Sequence, residues 1–431
     1  MSTQAQANPL AGSAVLPIGS RVNQRGHLEV GGCDAVELAR EFGTPAYVYA
    51  EDDIRARARA YLAAFAGHDV EHEVLFASKA ASFTAAYRTL REEGLSVDVA
   101  SGGELAMALR AGFAPERIYL HGNNKTEREL REALGAGVGH IICDSFDEID
   151  RLGRLASDPQ DVLIRVTPGV SPSTHAAVQT GGLDSKFGFG LSDGLAAEAV
   201  ERVLAAPSLR LVGLHAHIGS QILELEPYTR AIEALGQLAD PGWCRVVNVG
   251  GGLGIAYTSA DQPPSIADYV GVKVAGVRDV FEGTPKLLVE PGRSLVGNAG
   301  ITLYTVGTVK EIPGVRTYLA VDGGMSDNMR PMLYGSPYTA LIADRPAGRT
   351  DTAATIAGMH CESGDILVRD AELAAPRVGD TLATLATGAY GYSMANNYNG
   401  MTRPPVIFCR DGDARVVVRR ETYEDLMARD V

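Results

Sequence analysis

A lysine set directly after an apolar strand is a candidate amine nucleophile. Lys79 ends the run EVLFASKA (73–80) and is the only lysine or arginine between Glu71 and Tyr87. Burial would lower its ammonium pKa from about 10.4 and favour the neutral amine that a Schiff base requires. The plainer reading is a surface lysine with its stem laid on the protein. Gly250-Gly251-Gly252, followed by Leu253-Gly254, closes another apolar run. Glycines let backbone N–H groups approach a phosphate, although a tight turn calls for the same residues. Ser220, in HIGS (217–220), brings a hydroxyl to that region. The glycine run comes too late in the chain for a first βα dinucleotide turn. His215 and His217 stand two apart, on one side of a strand. A metal pair is one reading, but no third ligand stands at a diagnostic spacing. An imidazole stacked on a planar cofactor and a core histidine are the others. Glu290-Pro291-Gly292-Arg293 ends a further run. A carboxylate beside a pyridine nitrogen keeps that nitrogen protonated and makes the ring an electron sink. Arg293 is then available for a phosphate or carboxylate; a surface ion pair is the alternative. In GMHCESGD (358–365), the Cys361 thiol is a proton donor in reserve and Glu362 a receptor for an amine. A small buried thiol beside a surface acid is the plain alternative.

Eight short apolar runs position these residues. They begin at residues 73, 95, 117, 140, 162, 211, 245 and 286, and the first five are evenly spaced. Between them lie stretches such as GELAMALRAGF (103–113) with the apolar spacing of amphipathic helices. Strand then helix, repeated, predicts βα units, and eight of them predict a closed (β/α)8 TIM-type barrel over an open doubly wound sheet. Lys79, Asp98, Ser101, His121, Asn123, Asp144, Arg165, His217, Ser220, Gly250 and Glu290 fall at or just past the C-terminal ends of these runs. In a barrel those ends converge on one face. The Ser/Thr/Gly-rich stretch 169–190 is long enough to predict a lid or cofactor-facing loop. From about Gly300 the pattern changes to alternating runs at 301–312, 317–324, 381–390, 405–410 and 414–421, which predict a second, mainly antiparallel β domain. RGHLEVGGC (25–33) is expected to add a strand to it, after a frayed stretch from Met1 to Gly19. The expected division is 1–45 with the β domain, 46–299 as the barrel and 300–431 as the β domain.

Composition narrows the function classes. With 39 basic and 53 acidic side chains among 431 residues, the formal charge is −14, which disfavours nucleic acids and anionic membranes as partners. Cys33, Cys143, Cys244, Cys361 and Cys409 form no CxxC pattern, so neither a disulfide framework nor a structural zinc site is expected. There is no secretory-type leader at the start of the sequence and no run of about 18 apolar residues. The expected compartment is the cytoplasm.

Taken together, DVASGGEL (98–105), LHAHIGSQI (214–222), NVGGGLGIAY (248–257), EPGR (290–293), VDGGMSDNMRPMLYG (321–335), HCESGD (360–365) and TGAYGYSMANNYN (387–399) resemble the fold-type III pyridoxal-phosphate decarboxylases, and among them the diaminopimelate decarboxylases. The resemblance runs from about residue 25 to the C-terminus. It implies a barrel plus a β domain, pyridoxal 5'-phosphate as cofactor, and decarboxylation of meso-2,6-diaminopimelate to L-lysine, with no metal. Lys79 matches the Schiff-base lysine and His217 the histidine stacked on the cofactor ring. Ser220 and Gly250, Gly251 and Gly252 match the phosphate site, and Glu290 the partner of the pyridine nitrogen. Arg293, Arg330 and Tyr334 match substrate-binding positions, Arg293 also lying near the cofactor. Cys361 matches the proton donor, Glu362 the ligand of the substrate's distal end, and Tyr390 a tyrosine touching cofactor and substrate. The family places Cys361 and Glu362 in the neighbouring subunit's barrel, which implies a homodimer. Phe76 and Ala81 in FASKAAS, and Gly391, depart from the pattern of many relatives. A paralogue acting on ornithine, arginine or a carrier-linked amino acid, an inactive regulator, and a racemase are the alternative readings.

Overall fold

The computed structural model describes residues 8–172, 180–182 and 184–431. It divides into two compact units, Arg55–Gly254 with Pro263–Leu295, and Met1–Ile54 with Ile255–Gln262 and Val296–Val431.

The first unit is a closed parallel barrel. Its strands are β1 (His72–Ala77), β2 (Ser96–Val99), β3 (Ile118–Leu120), β4 (His140–Cys143), β5 (Gln160–Thr167), β6 (Leu209–His215), β7 (Val246–Asn248) and β8 (Lys286–Val289). Each pairs in parallel with the next. Leu287–Val289 then pairs with His72–Val74, which closes the ring and excludes the open sheet. Parallel strands buried on both faces need near-continuous apolar runs, and these eight supply them. Leu75, Tyr119, Ile142, Leu163, Val212, Val246 and Leu288, from seven different strands, pack into one interior cluster, so the barrel is filled rather than hollow. At its N-terminal end Glu73 takes Lys286 (2.7 Å), the Tyr119 hydroxyl (2.9 Å) and Ser96. The outer helices start on side-chain caps. Ser101, Thr126, Ser145 and Ser265 each accept a backbone N–H from their helix's first turn. Ser101 is therefore a cap, the plain reading of a strand-end serine.

The second unit is built on Gly300–Ile312, a 13-residue strand whose register shifts between Val306 and Thr308. Its first half lies antiparallel to Ala46–Ala50 and Thr381–Thr384, and its second half to Arg316–Val321. Most further pairings are antiparallel. Two are parallel, Tyr318–Ala320 on Thr355–Ala357 and Val406–Cys409 on Tyr47–Ala50. The N-terminal strand that joins this sheet is Ala46–Ala50. Leu28–Val30, inside the expected 25–33 strand, instead pairs with Arg21–Val22 and Cys33–Asp34 in a small sheet of its own. The stretch before it is not frayed from Asn8 on: Val15 and Leu16 are buried in the same apolar cluster as Leu28 and Ile407. The strands Ala340–Ile342, Thr352–Ala357 and Ile366–Leu373 have no counterpart in the sequence reading. The inside–outside alternation of the last two is broken by register shifts around Ile356. Of the expected loop at 169–190, residues 173–179 and 183 lie outside the described residues.

Candidate active site

In the barrel unit the strand ends gather a carboxylate, three imidazoles and a glycine turn. Glu290 follows β8 and is 6% exposed. Asn248, at the end of β7 and fully buried, donates from Nδ2 to Glu290 Oε1 at 2.7 Å. His215 Nε2 lies 3.3 Å from Oε2. His121 Nε2 stands 3.0 Å from Oε1, at an angle too poor for a hydrogen bond. Burial alone would raise the Glu290 pKa, but the two imidazoles hold it well below the usual carboxylate range. Burial pushes His215 down to about 4 and lowers His121 as well. The site is thus an ionised carboxylate among neutral imidazoles. Asp98 shows the opposite response: burial, then the Glu290 charge, raises it well above its ordinary value. His121, His215 and Glu290 have ligand atoms all within 4.8 Å of one another. His215 is thus met by Glu290 and His121, both far off in sequence, where the two-apart spacing had drawn attention to His217.

The glycine turn closes on this group from β7. A Cβ on Gly251 would stand 2.0 Å from the Glu290 carbonyl oxygen, and one on Gly250 2.6 Å from the Ala216 carbonyl. Gly252, with φ +106°, leaves 2.5 Å to the Gly219 carbonyl. No side chain fits at any of the three. The turn lies flat against the ends of β6 and β8, so protein packing alone demands its glycines. Gly250 N–H donates to Asn248 Oδ1 (3.0 Å), and Gly251 N–H donates to His217 Nδ1 (3.2 Å). Since Nδ1 accepts, the ring proton of His217 belongs on Nε2. Desolvation, followed by the Lys79 charge, keeps this imidazole well below its ordinary pKa. Arg293 Nη2 donates to the Ser220 hydroxyl at 2.9 Å.

Lys79 sits in the short turn Ser78–Ala80 directly after β1, with charge reaching Asp98 and His217. Its side chain is exposed in the single chain, so the burial argument for a neutral amine does not hold there. Placement after β1, among the other strand ends, is what marks it. The donor set suits a phosphorylated pyridine aldehyde: an amine, an ionised buried carboxylate, an imidazole held by the backbone, and a hydroxyl, a guanidinium and a glycine turn together. Sequence reasoning missed Asn248, which holds both Glu290 and the turn. It lies within NVGGG, but an asparagine before glycines reads as turn chemistry.

The β unit holds the other predicted residues in two groups. Arg330 is 4% exposed and donates to the hydroxyls of Tyr257 (2.8 Å) and Tyr338 (2.5 Å) and to Ser336 (3.3 Å). Its guanidinium lies over the rings of Tyr257, Tyr338 and Tyr390 at 5.0, 5.7 and 5.9 Å. Among the described residues no carboxylate pairs with it. Tyr390 adopts φ 64°, a left-handed conformation rare outside glycine. Tyr334 ends the short helix Arg330–Tyr334. The second group is the exposed Cys361–Glu362 loop. Asp365 accepts from Met325 N–H (2.8 Å) and from His360 N–H (2.9 Å), and lies 2.8 Å from His360 Nδ1. His360 stacks on Tyr398, whose hydroxyl donates to Glu362 at 2.5 Å, and Cys361 N–H reaches Asn399 Oδ1.

Known proteins of similar sequence and fold decide the family. Residues 51–297 match the model of the pyridoxal-dependent decarboxylase, pyridoxal-binding domain. Diaminopimelate decarboxylase of Bacillus subtilis is 49% identical over 427 residues, covering 96% of this chain and 97% of that protein. The chain belongs to the diaminopimelate decarboxylase family. The Mycobacterium bovis member is 44% identical, with 97% and 98% covered. Diaminopimelate decarboxylase from M. jannaschii in co-complex with L-lysine superposes with a TM-score of 0.90 at 35% identity, covering 96% of this chain and 98% of that one. The Helicobacter pylori enzyme complexed with L-lysine gives 0.84 at 30% identity, covering 91% and 98%. Among the described residues, no helix is long and apolar enough to cross a membrane.

Proposed function

We propose that this protein decarboxylates meso-2,6-diaminopimelate to L-lysine and carbon dioxide, using pyridoxal 5'-phosphate held in the barrel. The observation that carries the substrate class is Arg330, a buried guanidinium held by hydroxyls and tyrosine rings and, among the described residues, paired with no carboxylate. A buried cation without a carboxylate is costly unless a ligand supplies one, and diaminopimelate keeps a second carboxylate after losing the first. A substrate with a plain amine tail would leave that charge unpaired.

Pyridoxal phosphate, when bound, supplies the electron sink that accepts the pair left behind as carbon dioxide departs. Lys79 would hold the cofactor through its amine. Ser220, Arg293 and the turn Gly250, Gly251 and Gly252 would hold the phosphate, and His217 would hold the ring. Glu290 keeps a proton on the ring nitrogen, a task suited to a carboxylate that two imidazoles hold ionised. Arg293, Arg330 and Tyr334 orient the substrate, Glu362 receives its distal ammonium, and Tyr390 touches both molecules. Cys361 would supply the proton that takes the place of the departing carbon dioxide. Exposure of Cys361 and Glu362 in the single chain supports a homodimer in which this loop serves the partner's barrel. The acidic composition supports a cytoplasmic enzyme.

Mixing two inactive variants tests the shared site. K79A and C361A, unfolded together and refolded, should recover about a quarter of wild-type activity, because half the dimers are mixed and each carries one intact site. No recovery from a mixture that exchanges subunits would place Cys361 in its own chain's site or outside the chemistry.

A further inference from the structure

Lys273 lies on the helix Ile266–Val280 and is fully buried. Among the described residues no carboxylate pairs with it. Its Nζ donates to the carbonyls of Val249 (3.0 Å) and Gly250 (2.9 Å) and to the Tyr269 hydroxyl oxygen (2.5 Å). Tyr269 passes its own proton to the Gly250 carbonyl at 3.3 Å. Burial pulls the Lys273 pKa well below the ordinary lysine value, while three acceptors for its protons and the rings of Tyr228 and Tyr269, at 4.6 and 4.1 Å, favour the ammonium.

The two carbonyls are the back of the glycine turn. A trans peptide is planar, with C=O and N–H pointing in opposite directions. Holding the Val249 carbonyl thus aims the Gly250 N–H, which meets Asn248 Oδ1, and holding the Gly250 carbonyl aims the Gly251 N–H, which meets His217 Nδ1. Asn248 in turn holds Glu290. One buried side chain thus stands one peptide behind His217, and one peptide and the Asn248 side chain behind Glu290. We propose that Lys273 is a positioning residue of the cofactor site, which orients peptides 249–250 and 250–251 and through them sets the His217 tautomer and the Asn248–Glu290 contact. The proposal rests on the cofactor reading above for its purpose, but its geometry belongs to the protein alone.

The test is nitrogen NMR of histidine-labelled protein without cofactor, with spectrophotometric titration of pyridoxal phosphate alongside. Wild type should show His217 as the single Nε2–H tautomer before any cofactor is added, because the turn sets it. K273M, which keeps the stem but not the donors, should show mixed tautomers and bind pyridoxal phosphate at least about tenfold more weakly. K273Q, whose amide still donates, should fall between, and it carries the test if K273M does not fold. An Nδ1–H tautomer in wild type overturns the proposal. So does a variant with an unchanged tautomer and affinity within about twofold. A wild type that fails to bind the cofactor sinks the functional reading instead, while the tautomer measurement still decides the role of Lys273.

Discussion

Exchanging Glu290 for glutamine removes one negative charge at nearly constant volume. The amide oxygen can still accept from Asn248 Nδ2, and the amide N–H can donate to His215, so the local hydrogen bonds survive in kind. What is lost is the charge. Glu290 already keeps two ring nitrogens at 3.0 and 3.3 Å. A cofactor ring nitrogen held at about 3 Å, in an effective dielectric of about 20, gains about 5 kcal/mol from the carboxylate. That is an upper bound of about four decades in the protonation equilibrium. The expected fall in kcat for E290Q is therefore about 10²–10⁴-fold, with pyridoxal phosphate affinity within about tenfold because the phosphate contacts lie elsewhere. Carbon dioxide release at saturating cofactor and substrate measures the first, and spectrophotometric titration the second. E290Q turning over within about tenfold of wild type would refute the electron-sink argument. A loss confined to cofactor affinity would make Glu290 an anchor instead.

Three other perturbations have defined outcomes. G251A should destabilise by about 2–4 kcal/mol in urea, since its Cβ meets the Glu290 carbonyl at 2.0 Å, whereas G135A, with nothing within 4 Å and set in a helix, should be neutral or gain up to about 1 kcal/mol. His215 has its pKa pushed down to about 4 from an unfolded value of about 6.5, so on acidification the unfolded chain takes the proton first. Its contribution falls by about 1.4 kcal/mol per pH unit between those values, and wild type should lose about 2 kcal/mol more than H215Q between pH 6.5 and 5 in urea titrations. Y398F removes the hydroxyl that orients Glu362, so KM for diaminopimelate should rise about 2–10-fold with kcat little changed.

The barrel was legible because each buried parallel strand needs an unbroken apolar run, and the eight runs could be counted. Its site was legible wherever one residue type ended a strand: Lys79 after β1, Glu290 after β8. What escaped was cooperation across the barrel. Nothing in HAH announces that His215 answers to Glu290, 75 positions on, or that Lys273, in the middle of an ordinary helix, reaches the glycine turn. Lys79 is exposed, as the plainer reading of that position has it, and only its place after β1 sets it apart. The β unit was less legible because the alternation of Thr352–Ala357 and Ile366–Leu373 is interrupted by register shifts, and because Ala46–Ala50, buried throughout, looks like a barrel strand.

The most direct measurement is carbon dioxide release by purified protein with pyridoxal phosphate, offered meso-diaminopimelate, L-ornithine, L-lysine and L-arginine in parallel. Release from diaminopimelate alone is the predicted result, since only that substrate brings a second carboxylate to Arg330. Release from ornithine, lysine or arginine, with diaminopimelate untouched, would contradict the assignment of Arg330 and Glu362 to the distal end.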